Sequence, residues 1–338
     1  VGTTALLFNT TGANNTALGM EALKANTTGQ QNVAVGSLAA DALTTASTVV
    51  AVGYNALGAT TTGSDNTAIG ASAAASTTTG QKNVAVGRLA LNSNTEGQNN
   101  VAIGKDALLN NTTANDNVAV GRESMEANTT GGQNTAVGNL SLYSNQTGSD
   151  NCAIGQEALQ NNTGSYNTGI GNESLEANTS GEYNTGLGHF SGNSITTGDY
   201  HTALGAFALE SITTTHGHTA VGYKALQQNT TGLYNVAVGF EALRESTDRN
   251  QLVAVGYHAG FNNTGHANTM IGYEAMEGTG SGGYSVAVGR QALYSMTSGS
   301  EQVGIGYAAG YSTTTGTRNT FVGGLAGYSN TEGNNNIA

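Results

Sequence analysis

The amino-acid sequence predicts an all-β fold, a parallel β-solenoid of twenty coils of 17 residues. Three observations predict it: glycines at near-constant spacing, an aliphatic residue at one fixed place in every repeat, and asparagine at the start of most repeats. Aligned on the glycine that closes each Asn-Thr-Ala-Val-Gly stretch, the series runs Gly2, Gly19, Gly36 and onward to Gly323. Every interval is 17 residues, except two of 16 that end at Gly171 and Gly272. Each short interval contains a turn that has lost one residue, Asn162-Thr163-Gly164 and Asn263-Thr264-Gly265, where most repeats have Asn-Thr-Thr-Gly. Lengths that change at corners while the strands keep register are the mark of a solenoid.

The unit reads N-[TV]-A-[VIL]-G-x-x-[AS]-L-x-x-N-T-T-G-x-x. Alternation across its first five places is the strand signal. Places two and four, such as Val33 and Val35, are expected to point into the coil. Place three, nearly always Ala or Gly, is expected to point the other way and to leave room for a close neighbour. Place four is Val, Ile or Leu in all twenty units, from Val1 to Val322. The glycine at place five suggests a bend. The Ala-Leu pair at places eight and nine is expected to begin a second, shorter strand, and Asn-Thr-Thr-Gly to close the coil as a turn whose glycine supplies a positive φ. A helix competes over Met20–Ala25, but six residues before a turn signal are too few for a stable one.

One coil cannot stand alone. Three buried aliphatic side chains do not offset the ordering of seventeen backbones, so stacking must supply the rest. Asn opens fourteen of the twenty units, among them Asn66, Asn83, Asn100, Asn117, Asn134 and Asn151 in consecutive coils, and stacked amides hydrogen-bond along a cross-β axis. At about 4.8 Å per coil, twenty coils would make a rod on the order of 95 Å long. The array occupies 1–338 as one continuous domain. It opens at places four and five and closes at places one to three, so it is expected to be uncapped at both ends and part of a longer fibre.

Composition narrows the function. Charged residues are only 9% of the chain and the net charge is −12 with no basic run, which argues against nucleic acid. No stretch approaches the ~20 apolar residues of a membrane span, so no membrane insertion is expected. Hydrophobic residues reach 37% and recur at fixed places, unlike a disordered chain. The single cysteine, Cys152, stands where other units have Thr or Val and is expected to be a small packed side chain rather than a reactive thiol.

The segments Asn32–Gly36, Asn66–Gly70 and Asn100–Gly104 resemble the core motif of YadA-type trimeric autotransporter head repeats. The longer pattern, as in Asn15–Gly29 and Asn117–Gly131, is similar to arrays in phage tail-fibre and bacterial surface proteins, often followed by an endosialidase-type chaperone domain. The resemblance covers the whole chain. It implies a left-handed β-roll in a homotrimer, serving as stalk or adhesin at a cell surface or on a virion. The coil length differs from the autotransporter head, and no anchor, coiled-coil stalk or chaperone domain is present in this sequence.

Departures from the repeat are where specific chemistry would lie. His201 and His218 both occupy place one, and His216-Gly217-His218 forms an HxH, so His201, His216 and His218 are candidate metal ligands if three copies meet there; otherwise no cofactor is expected. The plainer account is imidazole replacing amide in a surface ladder. Tyr166, Tyr183, Tyr200, Tyr234 and Tyr284 share place seventeen and are candidate glycan contacts, or else a ladder that packs a corner. Asn9, Asn26, Asn111, Asn128, Asn145, Asn178 and Asn229 each start an Asn-x-Ser/Thr and are candidate glycosylation sites, though Asn and Thr also simply suit a turn. Carboxylates recurring at place seven (Glu21, Glu123, Glu157, Glu173, Glu241) look like a solvated face, and no catalytic constellation stands out.

The sequence therefore points to a non-catalytic structural fibre or adhesin shaft, extracellular, on a cell surface or a virion. Its expected partners are its own copies, as a homotrimer or an end-to-end filament, and a cell-surface glycan or receptor. The alternatives are an ice-binding β-solenoid and a glycosylated extracellular filament subunit. The first suffers because Thr-Thr is adjacent and in a turn, whereas an ice face needs Thr at alternate strand positions.

Overall fold

A computed structural model describes residues 2–278 and 280–338. Val1, the first of the aliphatic places, lies outside them. The fold is an all-β parallel solenoid, and no helix occurs among the described residues. The chain divides into two compact units, Val1–Asn167 and Thr168–Ala338. The first holds strands β1 (Thr16–Leu18) to β9 (Cys152–Ile154), and the second β10 (Thr168–Ile170) to β19 (Thr320–Val322). Each strand is three residues long and covers places two to four. Inside each unit successive strands pair parallel and in register, place against like place, as in Val84↔Val101 and Thr185↔Thr202. The register survives the one-residue deletion in the second unit, where Val253 still pairs with Thr269.

The facing of the strand is the reverse of what its hydrophobicity suggests. Place three points inward: Ala34, Ala68, Ala102, Ala119 and Ala136 are completely buried. Places two and four point outward and are half-buried or exposed, as in Val101–Ile103 and Thr67–Ile69. The physical reason is the width of the lumen. A strand alternates its side chains between faces, and the inner face already meets the place-eight alanine and the place-nine leucine of the coil. Ala22, Leu23, Ala107, Leu108, Ala158 and Leu159 are all fully buried. Only a methyl group fits between them, so the larger aliphatics are left outside.

The second half of the coil is not a second strand. Places six to eleven form turns in which places seven and nine are left-handed: Glu21 and Leu23 have φ of 60° and 50°, and Glu123 and Met125 have 57° and 52°. Non-glycine residues rarely adopt this conformation, which costs roughly 1–2 kcal/mol each. For leucine at place nine, complete burial returns a comparable or larger amount, about 1.5–3 kcal/mol. The left-handed residues interrupt any helix over Met20–Ala25. They also let alternate amides reach the adjoining coil, Leu23 N–H to Ala39 O at 3.1 Å and Ala25 N–H to Asp41 O at 2.9 Å.

The two glycine places have different causes. At place five φ lies near +140°, as at Gly19 and Gly121, which only glycine adopts readily. At place fifteen the expected positive φ is absent. The glycine is needed there for close approach, since a Cβ on Gly131 would stand 2.2 Å from the carbonyl oxygen of Gly148 in the next coil.

Where leucine is missing from place nine, neighbours fill the space. Gly260 lies against the side chain of Met270 in the next coil, and Gly310 and Gly327 against the ring of Phe321, in the next coil and in the same coil respectively, both larger residues being at place three. Gly192 lies against Ile195, which replaces the usual place-twelve asparagine. Core volume is kept by exchanging large and small residues across the lumen.

Candidate interaction faces

Two internal asparagine ladders hold the coils together. In the place-one ladder the backbone N–H of Asn83 donates to Oδ1 of Asn66 at 2.9 Å, and the N–H of Asn100 donates to Oδ1 of Asn83 at 3.0 Å. The amide nitrogen of each crosses its own coil to a place-fifteen carbonyl, Asn83 Nδ2 to Gly97 O at 2.9 Å and Asn134 Nδ2 to Gly148 O at 2.9 Å. These asparagines are buried, so the ladder runs inside the coil and not on its surface.

The second ladder is at place twelve and contains the candidate glycosylation residues. Asn128 Nδ2 donates to Oδ1 of Asn111 at 2.9 Å and to Gly131 O at 3.0 Å, and Asn145 repeats the pattern on Asn128. Asn26, Asn111, Asn128, Asn145, Asn178 and Asn229 are all fully buried, whereas Asn9 is exposed. A glycan on any of the six would have to displace the core of a folded coil. The place-thirteen threonines beside them are also engaged, Thr95 Oγ1 donating to Thr112 O at 3.1 Å and Thr112 Oγ1 to Thr129 O at 3.1 Å.

The three candidate metal-binding histidines do not converge. His201 and His218 are buried in place of the ladder asparagines, their rings stacked at 5.3 Å, while His216 points to solvent beside Asp199. Nε2 of His201 and of His218 contact the carbonyls of Thr215 and Gly232 at 2.7 and 2.9 Å. Nδ1 of each accepts a backbone N–H, from His218 at 3.3 Å and from Asn235 at 3.2 Å. With both nitrogens of both rings taken, neither offers a lone pair to a metal. Burial, opposed for His201 by the Thr215 carbonyl, lowers its pKa to about 4; burial and the neighbouring His201 do the same for His218.

The place-seventeen tyrosines are exposed. Tyr183 and Tyr200 stack at 5.4 Å with their planes 8° apart, so these two rings turn a face toward each other. The ladder is broken at Gly217, and the ring of Tyr234 leans over that glycine. Tyr284 is the most exposed of the five candidates, at 74%. A second aromatic row, whose tyrosines are visible in the sequence as sharing place six and which Phe240 completes, runs through Tyr223, Phe240, Tyr257 and Tyr273, with centroid spacings of 5.3, 5.4 and 5.0 Å. Arg290 lies 5.4 Å from the ring centre of Tyr273. Of the place-seven carboxylates of the first unit, Glu21 pairs with Lys24 at 3.2 Å and Glu123 with Arg122 at 3.3 Å, while Glu157 accepts from Gln156 Nε2 at 3.1 Å.

The largest feature is the outward strand face. Ile69, Ile103 and Ile154 in the first unit and Leu187, Val255, Ile271 and Ile305 in the second are exposed, and among the described residues place four carries no polar side chain. Each strand presents about 10 Å by 4.8 Å. The nine strands of the first unit thus give on the order of 430 Å² in projection, within the range of the largest apolar patch on a monomeric protein and with no charged residue in it. Cys152 lies on this face at place two, half-buried, and burial pushes its thiol pKa up.

The fold and these faces define a class, the parallel β-solenoid repeat proteins. Comparison with models of known protein families gives no match, and no similar curated protein is found.

Proposed function

We propose that the protein is a non-catalytic structural fibre or adhesin shaft of an extracellular surface or virion, assembled with copies of itself through the outward face of its strands. The observation that carries this reading is the uninterrupted Val/Ile/Leu row at place four, flanked by Thr and Val at place two. Such a row, repeated in coil after coil, is apolar surface that association would remove from water. A second copy has the same coil spacing, so its row matches the first at every step without adjustment. The homotrimer implied by the resemblance to autotransporter heads is one closed way of burying three such faces. The ice-binding alternative fits less well, because threonine enters the outward face only at place two and place four is always aliphatic.

Sedimentation velocity of the full chain tests the reading, together with cross-linking through Cys152. The wild type should sediment as an oligomer and give linked species through Cys152. Val120→Asp with Val137→Asp should give a monomer with an unchanged β-type circular dichroism spectrum, because both side chains point out of the coil. A wild type that remains monomeric at about 100 µM, far above the roughly micromolar range of stable assemblies, would refute self-assembly. Thermal hysteresis of that monomer would favour the ice-binding reading instead.

A further inference from the structure

All six histidines of the chain lie in the second unit. Two of them, His201 and His218, stand in a ladder that elsewhere uses asparagine. The substitution works because a neutral imidazole with its proton on Nε2 has the same polarity pattern as a carboxamide. Nε2–H replaces the amide nitrogen and donates to the place-fifteen carbonyl, to Thr215 at 2.7 Å and Gly232 at 2.9 Å. Nδ1 replaces Oδ1 and accepts the next coil's place-one N–H, from His218 at 3.3 Å and Asn235 at 3.2 Å. The ladder continues unbroken on either side, since His201 N–H donates to Oδ1 of Asn184 at 3.0 Å and Leu252 N–H to Oδ1 of Asn235 at 2.9 Å.

An amide keeps its acceptor at any pH between acid and alkali, but an imidazole does not. Protonation places a second N–H on Nδ1, facing the backbone N–H that it formerly accepted. A buried donor then meets a buried donor, and two stacked imidazolium rings 5.3 Å apart repel each other. We propose that the stretch from His201 to Asn235 is an acid-labile seam, whose coil-to-coil bonds hold at neutral pH and release when His201 and His218 protonate.

The surrounding groups do not cancel the effect. Asp199 favours the charged form of His201, but its Oδ2 lies 3.5 Å from Nδ1 of His216, and its Oδ1 accepts the N–H of Glu182. His216 opposes charging of both buried rings. Beyond His218, Asp248 and Arg249 pair with each other at 3.2 Å. Thr215 Oγ1, 3.2 Å from Nε2 of His218, is uncharged. His258 is set differently: its two nitrogens face the carboxylates of Glu241 and Glu277 at 3.2 and 3.0 Å rather than a backbone N–H of the next coil.

The folded pKa of each buried histidine, about 4, lies below the ordinary 6.5. Stability from these groups is therefore complete above pH 6.5 and falls as the pH drops toward 4. At pH 5 the folding equilibrium of the seam should weaken by about 30-fold per histidine, and by up to about 1,000-fold for the pair.

Hydrogen exchange read by mass spectrometry on the full chain, with intrinsic rates corrected for pH, tests this at pH 7 and pH 5. Peptides within 199–235 should lose protection by these factors at pH 5, while peptides within 100–151, stapled by asparagine alone, should change by less than about threefold. The double variant His201→Asn, His218→Asn restores the residue used in the other coils and should abolish the difference, with each single variant removing about half of it on a logarithmic scale. Equal acid sensitivity in both stretches, or a double variant as acid-labile as the wild type, would overturn the proposal.

Discussion

Replacing Asn117 by alanine tests the idea that the internal amides, rather than the aliphatic residues, hold consecutive coils together. Asn117 is completely buried. Its Oδ1 accepts the backbone N–H of Asn134 at 2.9 Å and Nδ2 of Asn134 at 3.2 Å, and its own Nδ2 donates to Gly131 O at 2.9 Å. The alanine variant leaves the Asn134 N–H buried without an acceptor, at roughly 1–3 kcal/mol, and removes two further bonds whose loss is softened. Gly131 O retains Nδ2 of Asn128, and Nδ2 of Asn134 retains Gly148 O. The expected total is about 3–4 kcal/mol, taking the middle of that range plus about 0.5–1 kcal/mol for each bond. Stability in a repeat array is the sum of coil terms and nearest-neighbour terms, so the loss should be local. Hydrogen exchange should show it in peptides covering Asn117–Asp150, with the coils before residue 83 unaffected, and urea denaturation should report its size. Aspartate at the same place keeps the acceptor but presents a carboxylate to Gly131 O. That variant should therefore regain stability as the pH is lowered and the acid can donate. A loss below about 1 kcal/mol for alanine, with unchanged protection of the Asn134 amide, would refute the staple account, because an orphaned buried donor cannot cost so little.

Three other substitutions separate the causes built into the coil. Gly121→Ala should be severely destabilising, since φ is 139° and the new Cβ would stand 2.3 Å from Gly138 O; thermal unfolding followed by circular dichroism should fall sharply or the chain should not fold. Ala119→Leu should overpack the lumen and cost about 1–3 kcal/mol or more, whereas Val120→Leu next to it should leave unfolding of the coil nearly unchanged, because the two side chains face opposite ways. Equal effects would mean that the inward and outward assignments are wrong. Gly260→Leu should be destabilising alone, through the Met270 sulfur 2.5 Å from the new Cβ, yet much less so with Met270→Ala, which rebuilds the usual leucine–alanine pairing of the other coils; additive effects in urea denaturation would argue against the exchange of volume across the lumen.

The repeat length, the parallel register and the corner deletions were legible in the sequence, because each follows from spacing alone. The direction of the strand was not. Alternation tells which residues share a face but not which face is inside, and the usual rule assigns the larger aliphatics to the core. Here a narrow lumen makes alanine the core residue of the strand and leucine at place nine the core residue of the turn. Nothing in Val33-Ala34-Val35 taken alone reveals the lumen's width. Left-handed leucine was equally hidden, since Leu23 and Leu57 adopt a backbone conformation that their own propensity opposes, and only their burial explains it. For the candidate residues, Asn-x-Thr matched an acceptor motif at places whose asparagine turns inward. The histidine pair was visible as a ladder substitution, but its burial and the occupation of both ring nitrogens required the coil.

Small alanines inside and Val, Ile or Leu outside divide two tasks between alternate residues. The coil closes through alanine, leucine and amide staples, all of which face the lumen, so its stability makes little demand on places two and four. Those places are free to be as apolar as an intermolecular surface requires. An ordinary sheet lacks this freedom, because the same aliphatic residues that would mediate association are consumed by its own core. The uninterrupted aliphatic choice at place four goes beyond what stacking within the single chain requires: a threonine there is as β-branched as valine and exposes less apolar surface. The contact with another surface that we propose would supply a cause, and a surface repeating at the same coil spacing would satisfy it at every strand, which is why a further copy of the chain is the partner that the proposal names.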